Sequence, residues 1–247
     1  MNNQLIREIR IDWDRIEADS YIRHIPALQN LKEMSFASSI TFFVGENGTG
    51  KSTLLEAIAV AAGFNPEGGT RNYNFSTYDS HSELCDALCI VKGARKMKWG
   101  YFLRAESFYN VATKEEEYAR DGHLPLEELH QRSHGESFME IAQHNFCENS
   151  MYFLDEPEAA LSAQRQMSLL KEIDYWAQRG SQFIIASHSP ILTAIDNAVI
   201  LSFDDGIHPC RYEETESYAV TEMFINHRER ILQELLKVEE QQDRKRQ

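Results

Sequence analysis

Hydrophobic and polar positions alternate between two rhythms along this chain. The stretches "SSITFFVG", "SMYFLDEPE", "QFIIASHSP" and "NAVILSF" each contain an unbroken apolar run, which fits strands buried on both faces. Further strands are predicted in "LIREIRIDW", "ALCIVKG" and "MKWGYFLRA". From Ser52 to Ala62 "STLLEAIAVAA" is apolar nearly all round and stops at Gly63, the pattern of a buried helix with a glycine C-cap. An amphipathic helix is predicted from about Ala159 to Arg179, ended by Gly180, and a charged one from about Val220 onward. Strands alternating with helices predict an α/β fold with a mostly parallel core sheet, preceded by an N-terminal antiparallel β part.

Polar stretches fill in the rest. Residues 64–80 read as loop, and the segment from Glu106 to Arg132, broken at Gly122 and Pro125, reads as part of a small helical sub-lobe at about 106–150. The whole chain, 1–247, is expected to be a single domain. In "SHGESF", Ser133 and Glu136 form an S-x-x-E capping box at the start of a helix carrying Phe138, Ile141 and Ala142. The free N–H groups of such a helix start also suit a phosphate.

Composition changes this picture only modestly. Of 247 residues 42% are hydrophobic, enough for a sizeable core. No run of about 18 apolar residues occurs and "MNNQLIREIR" has no apolar leader, so a cytoplasmic protein without membrane insertion is expected. The net charge of −14 opposes a surface that tracks nucleic-acid phosphates. The basic cluster "KGARKMKW" reads as an exposed strand face. Cys85, Cys89, Cys147 and Cys210 lack metal-site spacing and read as plain thiols.

Chemistry concentrates where apolar runs end. "GENGTGKS", comprising Gly45, Glu46, Asn47, Gly48, Thr49, Gly50, Lys51 and Ser52 and followed by Thr53, fits G-x-x-x-x-G-K-[ST] between a buried strand and a helix. An ordinary glycine turn is the simpler alternative, but strand, loop and helix all agree with the motif. Its backbone N–H groups can wrap phosphate oxygens, the Lys51 ammonium can reach the β and γ phosphates, and the Ser52 hydroxyl can ligate Mg²⁺. "MYFLDEPE" delivers Asp155 and Glu156 at a strand end, where a carboxylate can hold Mg²⁺ and its neighbour can polarise water. "FIIASHSP" delivers His188 in the same way, within reach of a γ phosphate.

Taken in this order, the motifs resemble those of ABC-type P-loop ATPases. The likeness is closer to the soluble members related to the chromosome-maintenance and OLD families than to transporter subunits. It runs from "SSITFFVGENGTGKSTLLEAIA" through "SHGE" and "YFLDEPEAALS" to "IIASHSP". The resemblance implies an ABC-ATPase head that dimerises face to face around two ATP molecules. It casts Lys51 and Ser52 as ligands of phosphate and Mg²⁺, Asp155 as the Walker B aspartate, Glu156 as the general base and His188 as the switch histidine. "AALS", Ala159 to Ser162, would cross the dimer interface, and Ser133, His134 and Gly135 would meet the γ phosphate of the other subunit. Where the family carries a Q-loop glutamine this chain reads "YFLRAESF", with Glu106 or Arg104 in that place and Glu106 near the metal. Tyr21 and Phe36 are the candidates for stacking on adenine, and Arg71 is either a phosphate contact or a turn residue. Only about 26 residues separate Glu106 from Ser133, too few at 1.5 Å per residue for a long coiled-coil arm.

Three functions are consistent with this reading. The first is Mg²⁺-dependent ATP hydrolysis by a homodimer that drives a partner protein. The second is an ATP-gated scaffold with little turnover that controls an effector such as a nuclease or toxin, as in phage defence. The third, a transporter subunit, fits least because the "LSGGQ" and Q-loop elements are altered.

Overall fold

The computed structural model of the chain describes residues 4–70, 82–104 and 134–246. In chain order the strands and helices are β1 (Ile6–Ile11), β2 (Glu33–Ser35), β3 (Ile40–Val44), α1 (Lys51–Ala61), β4 (Gly69–Thr70), α2 (Leu84–Ala87), β5 (Leu88–Lys92) and β6 (Gly100–Arg104). There follow α3 (His134–Asn145), β7 (Met151–Asp155), α4 (Ala163–Ala177), β8 (Gln182–Ala186), β9 (Val199–Ser202), β10 (His208–Cys210) and α5 (Glu216–Arg246). The main sheet has the order β10-β9-β3-β8-β7-β6-β4. Its strands from β9 to β6 are parallel, and the edge strands β10 and β4 are antiparallel. A separate antiparallel sheet, β2-β1-β5, forms the expected N-terminal β part.

The apolar runs have a direct cause in this architecture. Side chains alternate across a strand, and both faces of the main sheet are covered. On one face Phe43, Phe153 and Ile184 pack with α1 and β1; on the other, Phe42, Tyr152, Leu154, Phe183 and Ile185 pack with α3 and α4. Helix α1 closes as predicted, with Gly63 at a φ of 94°. Gly63 N–H donates to Val60 O at 2.8 Å and Phe64 N–H to Ala59 O at 3.0 Å, the paired bonds of a Schellman motif.

Other expectations need correction. The helix expected from Ala159 begins at Ala163, because Pro157–Ala160 form a 3-10 turn, Leu161 is extended and Ser162 caps the helix through Arg165 N. The last helix begins at Glu216 rather than Val220 and is interrupted at His227, whose φ is −128°. Residues 64–80 were expected to be loop throughout, but Gly69–Thr70 pairs with β6. "KGARKMKW" is not a strand face, because β5 ends at Lys92. There Gly93 N–H donates to Leu5 O, and a Cβ on Gly93 would lie 1.8 Å from Gln4 O. Within the connection Arg95 bonds Asn149 and Gly180 O, and Lys98 pairs with Glu148.

Most of the sub-lobe expected at 106–150 lies outside the described residues. Its last helix, α3, packs Phe138, Met139 and Ala142 into the second core. All four cysteines are free, and burial pushes the Cys85 thiol up to about 11. Among the described residues no helix is long and apolar enough to cross a membrane.

Candidate active site at the strand ends

Parallel pairing brings the chemistry together. Arg104 lies opposite Asp155, Asp155 opposite Ala186, Phe43 opposite Ala186, and Val44 opposite Ser202. The segments that follow these strands therefore emerge at one edge: Gly45–Ser52 after β3, Glu156 after β7, Ser187 and His188 after β8, and Asp204 after β9. This is the crevice in which open α/β sheets take ligands.

The loop turns by left-handed glycines. Gly50 has a φ of 100°, and a Cβ there would lie 2.6 Å from Ile25 Cγ2. Lys51 is 4% exposed, and its ammonium donates to Gly45 O and Glu46 O, both at 2.7 Å. Burial lowers its pKa, against the opposing pull of Glu156, Asp204, Asp155 and Glu158. Those carbonyl bonds hold the ammonium over the mouth of the loop, where it can exchange them for phosphate oxygens. Thr49 Oγ1 donates to Glu46 O at 2.9 Å, and Glu46 N–H donates to Asp204 Oδ1 at 2.9 Å.

Ser52 Oγ donates to Asp155 Oδ1 at 2.8 Å. This hydroxyl and carboxylate suit Mg²⁺, a hard cation that takes few protein oxygens and completes its shell with water and substrate phosphates. The other carboxylate oxygen, Asp155 Oδ2, lies 3.5 Å from Arg104 Nε. That ion pair is long, and among the described residues Arg104 Nε makes no hydrogen bond. The same guanidinium bonds Glu56 Oε2 at 2.5 Å and Pro66 O at 3.2 Å.

Glu156 has a φ of 48° and ψ of 51°, a left-handed conformation costly for a residue with a Cβ. Strain of this kind collects at functional sites. The turn brings Glu156 Oε1 to 3.8 Å from His188 Nε2, a nitrogen without a hydrogen-bond partner among the described residues. Burial, then the Lys51 charge, lowers the His188 pKa, while Glu156, Asp204 and Glu216 pull it up. Burial thus favours the neutral ring, which can present a donor or an acceptor.

Among the sequence candidates, Gly45 to Thr53, Asp155, Glu156 and His188 converge at this edge. Glu106, Ser133 and Arg71 lie outside the described residues, and His134 and Gly135 are described only as the first backbone positions of α3. Phe36 is 1% exposed within the first core, which removes it as an adenine platform, whereas Tyr21 is 62% exposed. Sequence reasoning missed Asp204, Glu158 and Glu56. Asp204 follows the apolar strand in "LSFDDG", so the rule that found Asp155 would have found it.

The fold and this strand-end site define the class, a P-loop ATPase. Within that class the chain belongs to the AAA domain family, which matches residues 21–247. Solved structures similar to it include the SMC head domain from Thermotoga maritima, at 14% identity over 83% of this chain and 99% of that one, with a TM-score of 0.45. Another is described as a metal-chelate type ABC transporter in an inward-facing conformation, at 17% identity over 73% and 75% of the two chains, with a TM-score of 0.43. A third is the SmcHead bound to the C-winged helix domain of ScpA, at 13% identity over 76% and 94%, with a TM-score of 0.42. Among curated proteins none matches.

Proposed function

We propose that the chain hydrolyses ATP in an Mg²⁺-dependent way, as a homodimer that closes around two nucleotides and thereby drives a partner protein. The observation that carries this reading is the convergence of Lys51, Ser52, Asp155, Glu156 and His188 at one sheet edge. Backbone N–H groups of Asn47 to Lys51 cradle the phosphates at the positive end of α1. Lys51 moves from its carbonyl partners to the β and γ phosphates. Ser52 and Asp155 would hold Mg²⁺, which would supply neutralisation of the phosphate charge. Glu156 accepts the proton of the attacking water, and His188 contacts the γ phosphate through Nε2.

The dimer reading adds Ser133, His134 and Gly135 of the second copy to the γ phosphate, with Ala159–Ser162 at the interface. Sedimentation velocity of Glu156→Gln tests it. A dimer with ATP, a monomer with ADP, and loss of the dimer in Glu156→Gln/Ser133→Arg are expected; a mass indifferent to nucleotide contradicts it. A second reading, an ATP-gated scaffold with little turnover that controls an effector nuclease or toxin, draws support from Arg104. Its cation beside Asp155 reduces the negative charge available to a metal. ATP-dependent dimers without measurable hydrolysis in the unaltered chain would favour that reading over the first.

A further inference from the structure

The turn after β7 carries a third acid that the hydrolytic reading leaves unused. Glu158 lies in the 3-10 turn Pro157–Ala160, and its carboxylate folds back over the neighbouring strand end. Its Oε2 accepts the Ser187 hydroxyl at 2.9 Å, and its Oε1 accepts the His188 backbone N–H at 2.5 Å. The Ser187 hydroxyl oxygen also accepts Ser189 N–H at 3.0 Å, and Glu156 N–H donates to Ala186 O at 2.9 Å. The segment holding Glu156 and the segment holding His188 are thus laced together at the point where their side chains face each other.

Stability gives little reason for a carboxylate here. Burial raises its pKa, with Glu156 adding to the effect, and among the described residues no cation forms an ion pair with it. Desolvating a charge with no cation in direct contact costs free energy that a neutral side chain would avoid. What the carboxylate provides is two acceptors at fixed positions, each spent on the His188 loop. A second tie supports the far side of that loop: Ser189 Oγ donates to Gln166 Oε1 at 2.6 Å, and Gln166 Nε2 donates to Leu161 O at 3.0 Å. Loss of Glu158 therefore frees the orientation of the loop without removing its support.

We infer that Glu158 is a positioning residue for ATP hydrolysis, clamping the loop after β8 so that the His188 ring stands against Glu156. The inference rests on the proposed roles of Glu156 and His188. It acts through His188 and touches no substrate. Glutamine at this position keeps an acceptor for His188 N–H but turns an N–H₂ toward Ser187, so it should restore part of what alanine loses.

The test compares steady-state ATP hydrolysis by the full chain, Glu158→Ala, Glu158→Gln and Glu156→Gln, with a nucleotide-free NMR titration of the His188 ring. Glu158→Ala is expected to lower kcat by about 10- to 100-fold, as small misplacements at an active site do, with KM for ATP changed less than about twofold. Glu158→Gln should fall between, and in Glu158→Ala the His188 ring should titrate nearer its ordinary value as it leaves its buried place beside Lys51. Unchanged kcat in Glu158→Ala, or a parallel fall of kcat, ATP affinity and unfolding midpoint without rescue by glutamine, would overturn the clamp. Glu156→Gln separates the two levels. If it is inactive while Glu158→Ala is normal, only the clamp fails; if it turns over normally, the hydrolytic roles fail and the clamp with them.

Discussion

Lys51 combines burial, two carbonyl partners and a lowered pKa, so its charge is held ready at the loop rather than solvated. Lys51→Ala should weaken ATP binding by about 10- to 100-fold, since hydrogen bonds to charged groups are worth roughly 1.5–3 kcal/mol; calorimetric titration measures it. His188 gives a pH signature. Its pKa in the folded chain lies below the ordinary 6.5, so the unfolded chain takes a proton that the folded one refuses. Stability should fall as pH drops through that ordinary value and level off below the folded pKa. His188→Gln should remove this component, read as the difference in urea midpoints between the two proteins across the pH range. Glu158, whose pKa is raised, contributes with the opposite sign, stabilising at low pH, and remains in both proteins.

At the scale of elements, close approaches and strain set what can be changed. Gly100 begins β6, and a Cβ there would lie 2.5 Å from Phe64 Cζ and 2.7 Å from Met151 O. Gly100→Ala should therefore cost about 1–3 kcal/mol of stability by overpacking, measured by chemical unfolding. Glu156→Gly should do the reverse, adding about 1 kcal/mol by relieving the left-handed backbone while abolishing hydrolysis. The strands that build the site were legible because burial on both faces leaves an unbroken apolar run, and Lys51, Asp155, Glu156 and His188 were legible because each follows such a run. Strands β2 and β4 escaped because pieces of three and two residues are too short to carry a period. The start of α4 was misplaced because extended Leu161 sits between two helical turns of similar composition. Glu158 and the Arg104–Glu56 pair were illegible for another reason: their partners lie 29 or 30 and 48 positions away and meet only through strand order.

At the scale of the molecule, five parallel strands gather loop, carboxylates and histidine along one edge, as the sheet order requires. The AAA domain match from residue 21 to 247 spans this whole arrangement, and the excess of acid over base, −14 in net charge, gives no electrostatic preference for nucleic acid. Hydrolysis at this edge is the central claim, and Glu156 is the group on which it turns. Steady-state turnover of Glu156→Gln at saturating Mg²⁺ and ATP tests it most directly. A fall of at least about 100-fold, within the contribution of a general base, with ATP affinity retained, is the result expected; turnover within about twofold of the unaltered chain would contradict it.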